Sequence, residues 1–422
     1  MSSNSRIIEL ASIIYEQTSK VDAYLASKNL PTPSFDVSSP LTFPIEVQAS
    51  RDATLNATDE LTALMLGPIG CVTPPNYSWT CVTAIQRFGI ANSFPSAGTS
   101  TFGEIALACS LSESDTRRLL RQAMTFYIFH EPSPGVVVHT AASKALAENA
   151  GLGAYIDWMS VEILPSYSRI VDAMETWPNS EEPNEAGFSV ANRTDISLFD
   201  TVAQHPRRAE RMATAMSYLH NTPGYDIKPL LKSFNWGAAA RGLLVDIGGA
   251  GGSVSKEIAR YLPEIKCIVQ DTPAVVQSSK VPEDLQKGER LRFMEHDFFK
   301  EQPVKGADIY LLCLVLHDWS DKYATKILSN LIPSLKKGAC IVVFDLCLPP
   351  PGDLSPYQSR RMRATDIFMK GITNAKERDA VEWGQLFKSA NPMFKLSEVK
   401  TPKGSALSTI CATWEGENTF SD

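Results

Sequence analysis

What the sequence lacks narrows its class before any motif is read. None of its eight cysteines (Cys71, Cys81, Cys109, Cys267, Cys313, Cys340, Cys347 and Cys411) stands in a CxxC pair or with histidines at metal-ligand spacing. Scattered thiols of this kind are expected in the reduced core of a cytoplasmic protein, and no metal site is expected. The longest apolar runs, around Ile309–Leu316 and Ala339–Phe344, fall far short of the ~20 residues that span a bilayer. Met1 to Tyr15 show no basic stretch followed by an apolar one, so neither a secretory leader nor a membrane partner is expected. Positive charge is also in deficit. With 40 Lys and Arg against 47 Asp and Glu, the formal charge is −7. A nucleic-acid partner would need a basic face to displace counterions from phosphates, and none is expected here.

What is present is ordinary globular composition, 44% hydrophobic and 21% charged over 422 residues, enough for more than one core. Four segments are expected. Residues 1–58 read as a helical extension (Ile7, Ile8, Leu10, Ala11, Ile14 and Tyr15 at helix spacing) with a Pro-rich connection from Pro31 to Pro44. In residues 59–150, Ser100-Thr101 and Ser112 cap two helices, and Val136–His139 is a short strand after a Pro-Gly turn. Helix, turn, helix and strand suggest a winged helix. Arg117, Arg118 and Arg121 on its second helix are read as a solvated or packing face rather than a DNA-reading one. Residues 151–236 read as a helical connector, with a polar surface loop Trp177–Glu185 and helices over Thr201–His220 and Lys228–Phe234.

From residue 237 to 422 the pattern becomes α/β. Strand-like runs at Leu243–Ile247, Cys267–Val269, Leu291–Met294, Ile309–Leu316 and Ile341–Phe344 alternate with helical stretches, which predicts a mostly parallel sheet covered on both faces. Phe394–Val399 and Ala406–Thr413 should add an antiparallel hairpin.

Asp246-Ile-Gly248-Gly249-Ala250-Gly251-Gly252 follows the first strand of that region and opens a helix, as a nucleotide-holding turn does. The dinucleotide GxGxxG is not met, because the third glycine would be Val254. Asp246 at the strand end would oppose a pyrophosphate and suit a cation. S-adenosylmethionine, with a sulfonium and an ammonium, fits better than NAD. Asp271 and Asp297 stand at the next two strand ends, and Asp271, roughly 20 residues on, is placed for a ribose diol. His317, in Leu316-His-Asp-Trp-Ser-Asp321, ends the fourth strand beside the expected crevice, where an imidazole can take a proton near neutrality. Asp345 and Glu377 are candidates to orient it. Asp318 reads as the cap of the following helix, and His130, His139, His205, His220 and His296 as structural.

Together these motifs, with His296-Asp297-Phe-Phe, Gly306-Ala-Asp-Ile-Tyr and Ala375-Lys-Glu-Arg378, resemble the fungal and plant-type O-methyltransferases that use S-adenosylmethionine. The resemblance runs from about Asp59 to the C-terminus. It implies a Rossmann-like class I methyltransferase sheet, a winged-helix dimerisation domain and a homodimer acting on a small aromatic, polyketide or pyridone-type molecule. By that resemblance Gly248, Gly249, Gly251 and Asp271 bind the cofactor, Asp297 and Phe298 flank its adenine, and His317 is the base held by Asp345 and Glu377. Phe199, Met212, Met216, Phe368, Met369 and Asn374 fall in segments that line the acceptor pocket. Cys313 occupies a cofactor-side position where the family usually has Arg or Lys, Leu314 one where Trp is common, and His130 one where fungal relatives often show Arg. The family also includes fungal pericyclases, which keep the fold and run dehydrations, cycloadditions or rearrangements instead, so that chemistry stays open.

Overall fold

The structure, a computed structural model, describes residues 5–73 and 78–418. It forms two compact units, Met1–Ser160 with Leu354–Arg361, and Val161–Asp353 with Met362–Asp422.

In the first unit the helices Arg6–Ser27 and Gln48–Val72 pack on each other, burying Leu10, Leu25 and Ala57. Strand β1 (Thr99–Thr101) leads into the helix Phe102–Cys109, started by a capping box between Thr101 and Glu104. Ser112 accepts the Asp115 amide and starts the helix Glu113–Met124. Strands β2 (His130–Ser133) and β3 (Val136–Val138) complete an antiparallel sheet in the order β1-β3-β2. Phe102, Ile105, Leu120, Phe129 and Val137 form its core. Arg117 pairs with Glu113, and Arg121 with Glu131 at 2.8 Å, so both guanidiniums are engaged within this unit.

The second unit is built on a sheet of seven strands: β4 (Leu243–Ile247), β5 (Lys266–Asp271), β6 (Leu291–Glu295), β7 (Ile309–Cys313), β8 (Cys340–Asp345), β11 (Phe394–Lys400) and β12 (Ser408–Trp414). The order is β11-β12-β8-β7-β4-β5-β6, with β4 to β8 parallel and β12 antiparallel to both neighbours. Two short strands, β9 (Cys347–Leu348) and β10 (Arg378–Asp379), pair in parallel beside it. The apolar runs bury both faces. Val245, Ile247, Leu312 and Val343 meet Trp383, Leu386 and Phe387 of the helix Ala380–Ala390. Leu244, Leu311 and Val342 share the other layer with Ile258 and Ala259 of the helix Ser253–Tyr261. From β4 the chain runs out through β5 and β6 and then returns to the opposite side of β4 at β7. The strand order thus reverses at β4, and the carboxyl end of the strands at such a reversal is where ligands bind in open α/β sheets.

Two expected elements are shorter than read. The strand expected over Ile309–Leu316 ends at Cys313, because Leu314 turns left-handed with φ +51°. The helix expected over Thr201–His220 is two helices, Leu198–Gln204 and Pro206–His220. Pro206 has no N–H for the first helix's ladder, and it drives His205 to extended backbone (φ −125°, ψ 92°).

Candidate active site

The chain leaves β4 through a turn with φ +69° at Gly248, +48° at Ala250 and +72° at Gly252. Gly249 is required by space: a Cβ there would lie 2.5 Å from Asp246 Oδ2 and 2.8 Å from Val269 Cγ1. The Asp246 carboxylate therefore fills the floor of the turn. It is wholly buried, one oxygen accepting the Ser255 hydroxyl at 2.7 Å and the other having no partner among the described residues. Through Ser255 it fastens the helix Ser253–Tyr261 beneath the turn. The Gly248 and Gly249 amides donate to the Gln270 carbonyl at 2.9 and 3.1 Å. Ala250 N–H donates to Asp271 Oδ2 at 2.9 Å, and Thr272 N–H to Oδ1 at 2.7 Å. Turn and β5 end are thus one hydrogen-bonded piece. Phe298 and Val315 close in on Gly248, 3.7 and 3.1 Å from where its Cβ would be, whereas a Cβ at Gly251 would meet open space. Asp297 is exposed and accepts the Phe299 amide at 2.9 Å.

Beyond the left-handed Leu314, residues Leu316–Asp318 form one 3-10 turn that carries His317. Arg378 clamps it. Wholly buried, its guanidinium donates to the Leu316 carbonyl (2.9 Å), the Trp319 carbonyl (2.8 Å) and Asp321 Oδ1 (2.8 Å). The β9–β10 pair brings the preceding residue, Glu377, to the end of β8 where Asp345 lies. His317 Nδ1 is 2.9 Å from Glu377 Oε1, while Nε2 is 3.7 Å from Asp318 Oδ1, beyond hydrogen-bond length. Asp345 is wholly buried, and neither of its oxygens has a hydrogen-bond partner among the described residues; nor has Glu377 Oε2. Cys313 ends β7 beside this cluster.

Of the expected acceptor-lining residues, Phe199 stacks on Trp319, ring centroids 5.6 Å apart, two residues past His317. Phe368 meets Tyr167 edge-on at 5.0 Å. Met212, Met216 and Met369 are half-buried. Asn374 is buried and bonded within the fold. Its amide nitrogen donates to the Ser180 and Glu182 carbonyls, both at 3.0 Å, and its oxygen accepts Lys370 Nζ. It is a strut for the loop Trp177–Glu185, which is itself more than a surface loop. Ser320 Oγ donates to the Glu181 carbonyl at 2.9 Å, and Lys322 N–H to Glu181 Oε1 at 3.1 Å. Glu181 therefore caps the helix Asp321–Leu331, and Asp318, read as that cap, is left to face His317.

Residues 181–391 match the family model of the O-methyltransferase domain. The chain is 39% identical to the O-methyltransferase kk1A of Curvularia clavata, over 97% of this chain and 98% of that one. It is 34% identical to a chlorophenol O-methyltransferase of Trichoderma longibrachiatum, over 98% and 91%. The chain belongs to the O-methyltransferase family. Two solved structures share the fold of this O-methyltransferase: OxaC in complex with SAH and oxaline (TM-score 0.77, 19% identity, 97% of this chain and 100% of that one), and a pericyclic reaction enzyme (0.71, 22%, 87% and 95%).

In the O-methyltransferase the His317 imidazole sits among acids. Burial by itself would lower its pKa, but the carboxylates of Glu377, Asp318 and Asp345 outweigh burial and lift it to about 10. Burial pushes Asp345 up to about 7 and Asp318 up to about 6, against the pull of the neighbouring imidazolium. With Nδ1 turned to Glu377, Nε2 is the ring nitrogen free of that contact. Sequence reasoning missed Asp318, Arg378 and the Glu181 loop. Arg378 stood inside a quoted motif, so its signal was present. The Glu181 contacts join residues about 140 apart and leave no local pattern.

Proposed function

We propose that this enzyme transfers a methyl group from S-adenosylmethionine to the hydroxyl of a phenolic or enolic small metabolite, with His317 as the base. The observation that carries it is the 2.9 Å contact of His317 Nδ1 with Glu377, which leaves Nε2 to accept a proton. The residues present fit the donor. Asp271, already ordered by two backbone amides, can accept from ribose hydroxyls; Phe298 offers an adenine-sized aromatic wall; and the unpartnered carboxylate oxygens of Asp345 and Glu377 complement a cation. When bound, S-adenosylmethionine supplies an electrophilic methyl on a positively charged sulfur. His317 Nε2 takes the acceptor's hydroxyl proton, Glu377 holds the Nδ1–H and fixes the ring, and Asp345 and Asp318 stabilise the imidazolium that results. A phenol has a pKa of about 10, close to that of His317 here, so the proton exchange is nearly balanced.

Incubating the purified protein with methyl-labelled donor and a panel of hydroxylated aromatics tests this. Labelled ether is expected, and His317→Ala should lower its rate by roughly 10²–10⁴-fold; a wild-type rate in that variant removes His317 from the mechanism. The chlorophenol-methylating relative supports a phenolic acceptor.

A second reading is favoured by the same charge cluster. An imidazolium held protonated through neutrality is a strong hydrogen-bond donor to a carbonyl, which suits a pericyclase or isomerase on this fold, as the likeness to the pericyclic reaction enzyme allows. We also infer a homodimer formed through the winged-helix unit of a cytoplasmic enzyme. Leu66, Ile69 and Val72 on one of its helices, and Leu107 on another, are more than half exposed, the kind of apolar surface a second copy covers.

A further inference from the structure

Two buried amides meet behind the glycine turn. Gln270, on β5, and Gln302, past the end of β6, are both wholly buried. Gln270 Nε2 donates to Gln302 Oε1 and Gln302 Nε2 donates to Gln270 Oε1, both at 2.8 Å, so the pair is bonded in both directions. Gln302 is fastened on its other sides too. Its N–H donates to the Asn330 carbonyl at 3.0 Å, its carbonyl accepts the Ser334 hydroxyl, and Oε1 also accepts the Val304 amide at 3.0 Å.

The pair joins two particular pieces of chain. Through its main chain Gln270 already carries the turn, since its carbonyl accepts the Gly248 and Gly249 amides, and the next residue, Asp271, accepts the Ala250 amide. Its side chain holds the segment of residues 296–302. That segment bears Phe298, which lies 3.7 Å from where a Gly248 Cβ would be. His296 N–H donates to the Asp271 carbonyl, and Asn330 Nδ2 to the Phe298 carbonyl, both at 3.0 Å. A buried amide pair adds little net stability, because each group gives up its water to form it; two apolar side chains of the same shape do nearly as well. What two parallel bonds do supply is a fixed separation and orientation.

We propose that Gln270 and Gln302 are positioning residues for the cofactor: their paired amides set the separation of the glycine turn and Phe298, the two sides that receive the adenosine half of S-adenosylmethionine. This role rests on the reading above that Asp271 and Phe298 take that half, and is independent of which reaction follows. A supporting layer of this kind acts on affinity through the residues it holds.

The test is calorimetric titration with S-adenosylhomocysteine, beside urea unfolding of the unliganded protein, for wild type, Gln302→Met and the double variant Gln270→Met with Gln302→Met. Gln302→Met leaves the Gln270 amide unpaired and should lower stability, and affinity by about tenfold. The double variant sets apolar against apolar, so its unfolding midpoint should return close to wild type while its affinity stays about tenfold low. Methylthioadenosine, which keeps the adenosine half and lacks the amino acid, should lose the same factor. A double variant that regains affinity together with stability makes the pair structural only and overturns the proposal, as does unchanged affinity in Gln302→Met. Should the double variant not fold, Gln302→Asn, which keeps the amide but draws it back by one methylene, is titrated instead, and wild-type affinity there overturns the proposal. Gly249→Ala, run alongside, separates the two readings. If it weakens binding and the glutamine variants do not, the positioning role alone fails; if none of them weakens binding, or wild type binds no S-adenosylhomocysteine, the cofactor site itself is misplaced and both fail.

Discussion

His317 shares one cluster of charge with Glu377, Asp345 and Asp318, and that grouping sets the pH at which its ring is neutral. Its pKa near 10 means that the neutral ring is scarce at neutrality and grows with pH. The sign is definite. If His317 must be neutral to take the acceptor's proton, kcat/KM climbs through the neutral range and levels near pH 10; a profile flat above pH 7 would contradict this. Asp345→Asn removes a carboxylate that favours the imidazolium, so the alkaline limb should move toward lower pH by roughly one unit, as a pH–rate series would show. Gly249 supplies a test of the turn. Because a Cβ there meets Asp246 and Val269 inside van der Waals distance, Gly249→Ala should cost about 1–3 kcal/mol of stability and at least tenfold in affinity for S-adenosylhomocysteine, read by urea unfolding and calorimetry. Unchanged affinity would mean that the turn does not hold the cofactor.

Among the elements, the helix Pro206–His220 depends on a charge triad for its place. Glu162 is wholly buried and holds two arginines, each about three-quarters buried, on one side of that helix. Glu162→Gln leaves them without an acid and should destabilise the protein by about 3 kcal/mol, measured by urea unfolding. A loss under ~0.5 kcal/mol, the size of an ordinary surface change, would show that the helix is held by other contacts. The strands were legible in the sequence because continuous apolar runs bounded by acids and glycines mark a parallel sheet; of the two acids read beside His317, Glu377 bonds its ring and Asp345 makes no hydrogen bond to a described residue. What escaped was set by backbone strain and distant partners. Leu314 reads as one more strand residue but turns left-handed, and Pro206 breaks a pattern that reads as one helix. Asp318, displaced as helix cap by Glu181, and Asn374, bonded to Ser180 and Glu182, take their places from segments far away in sequence, which no local spacing encodes.

At the scale of the whole molecule, the proposed roles fall in different units. The second carries every proposed catalytic and cofactor-binding residue, and the first carries exposed apolar side chains on its helices. Light scattering behind size exclusion should give twice the chain mass. Ile69→Asp should shift that mass toward one chain if the helix Gln48–Val72 lies in the contact, and a wild-type monomer would end the dimer reading. The likeness to both OxaC and the pericyclic reaction enzyme leaves fold unable to decide the reaction. One measurement decides it: the mass of the product formed by wild-type protein from a hydroxylated aromatic and a donor with a deuterated methyl. A product heavier by one labelled methyl, with S-adenosylhomocysteine released in equal amount, is the predicted result. A product that is an isomer or dehydration product of its precursor, with the donor unconsumed, would contradict it.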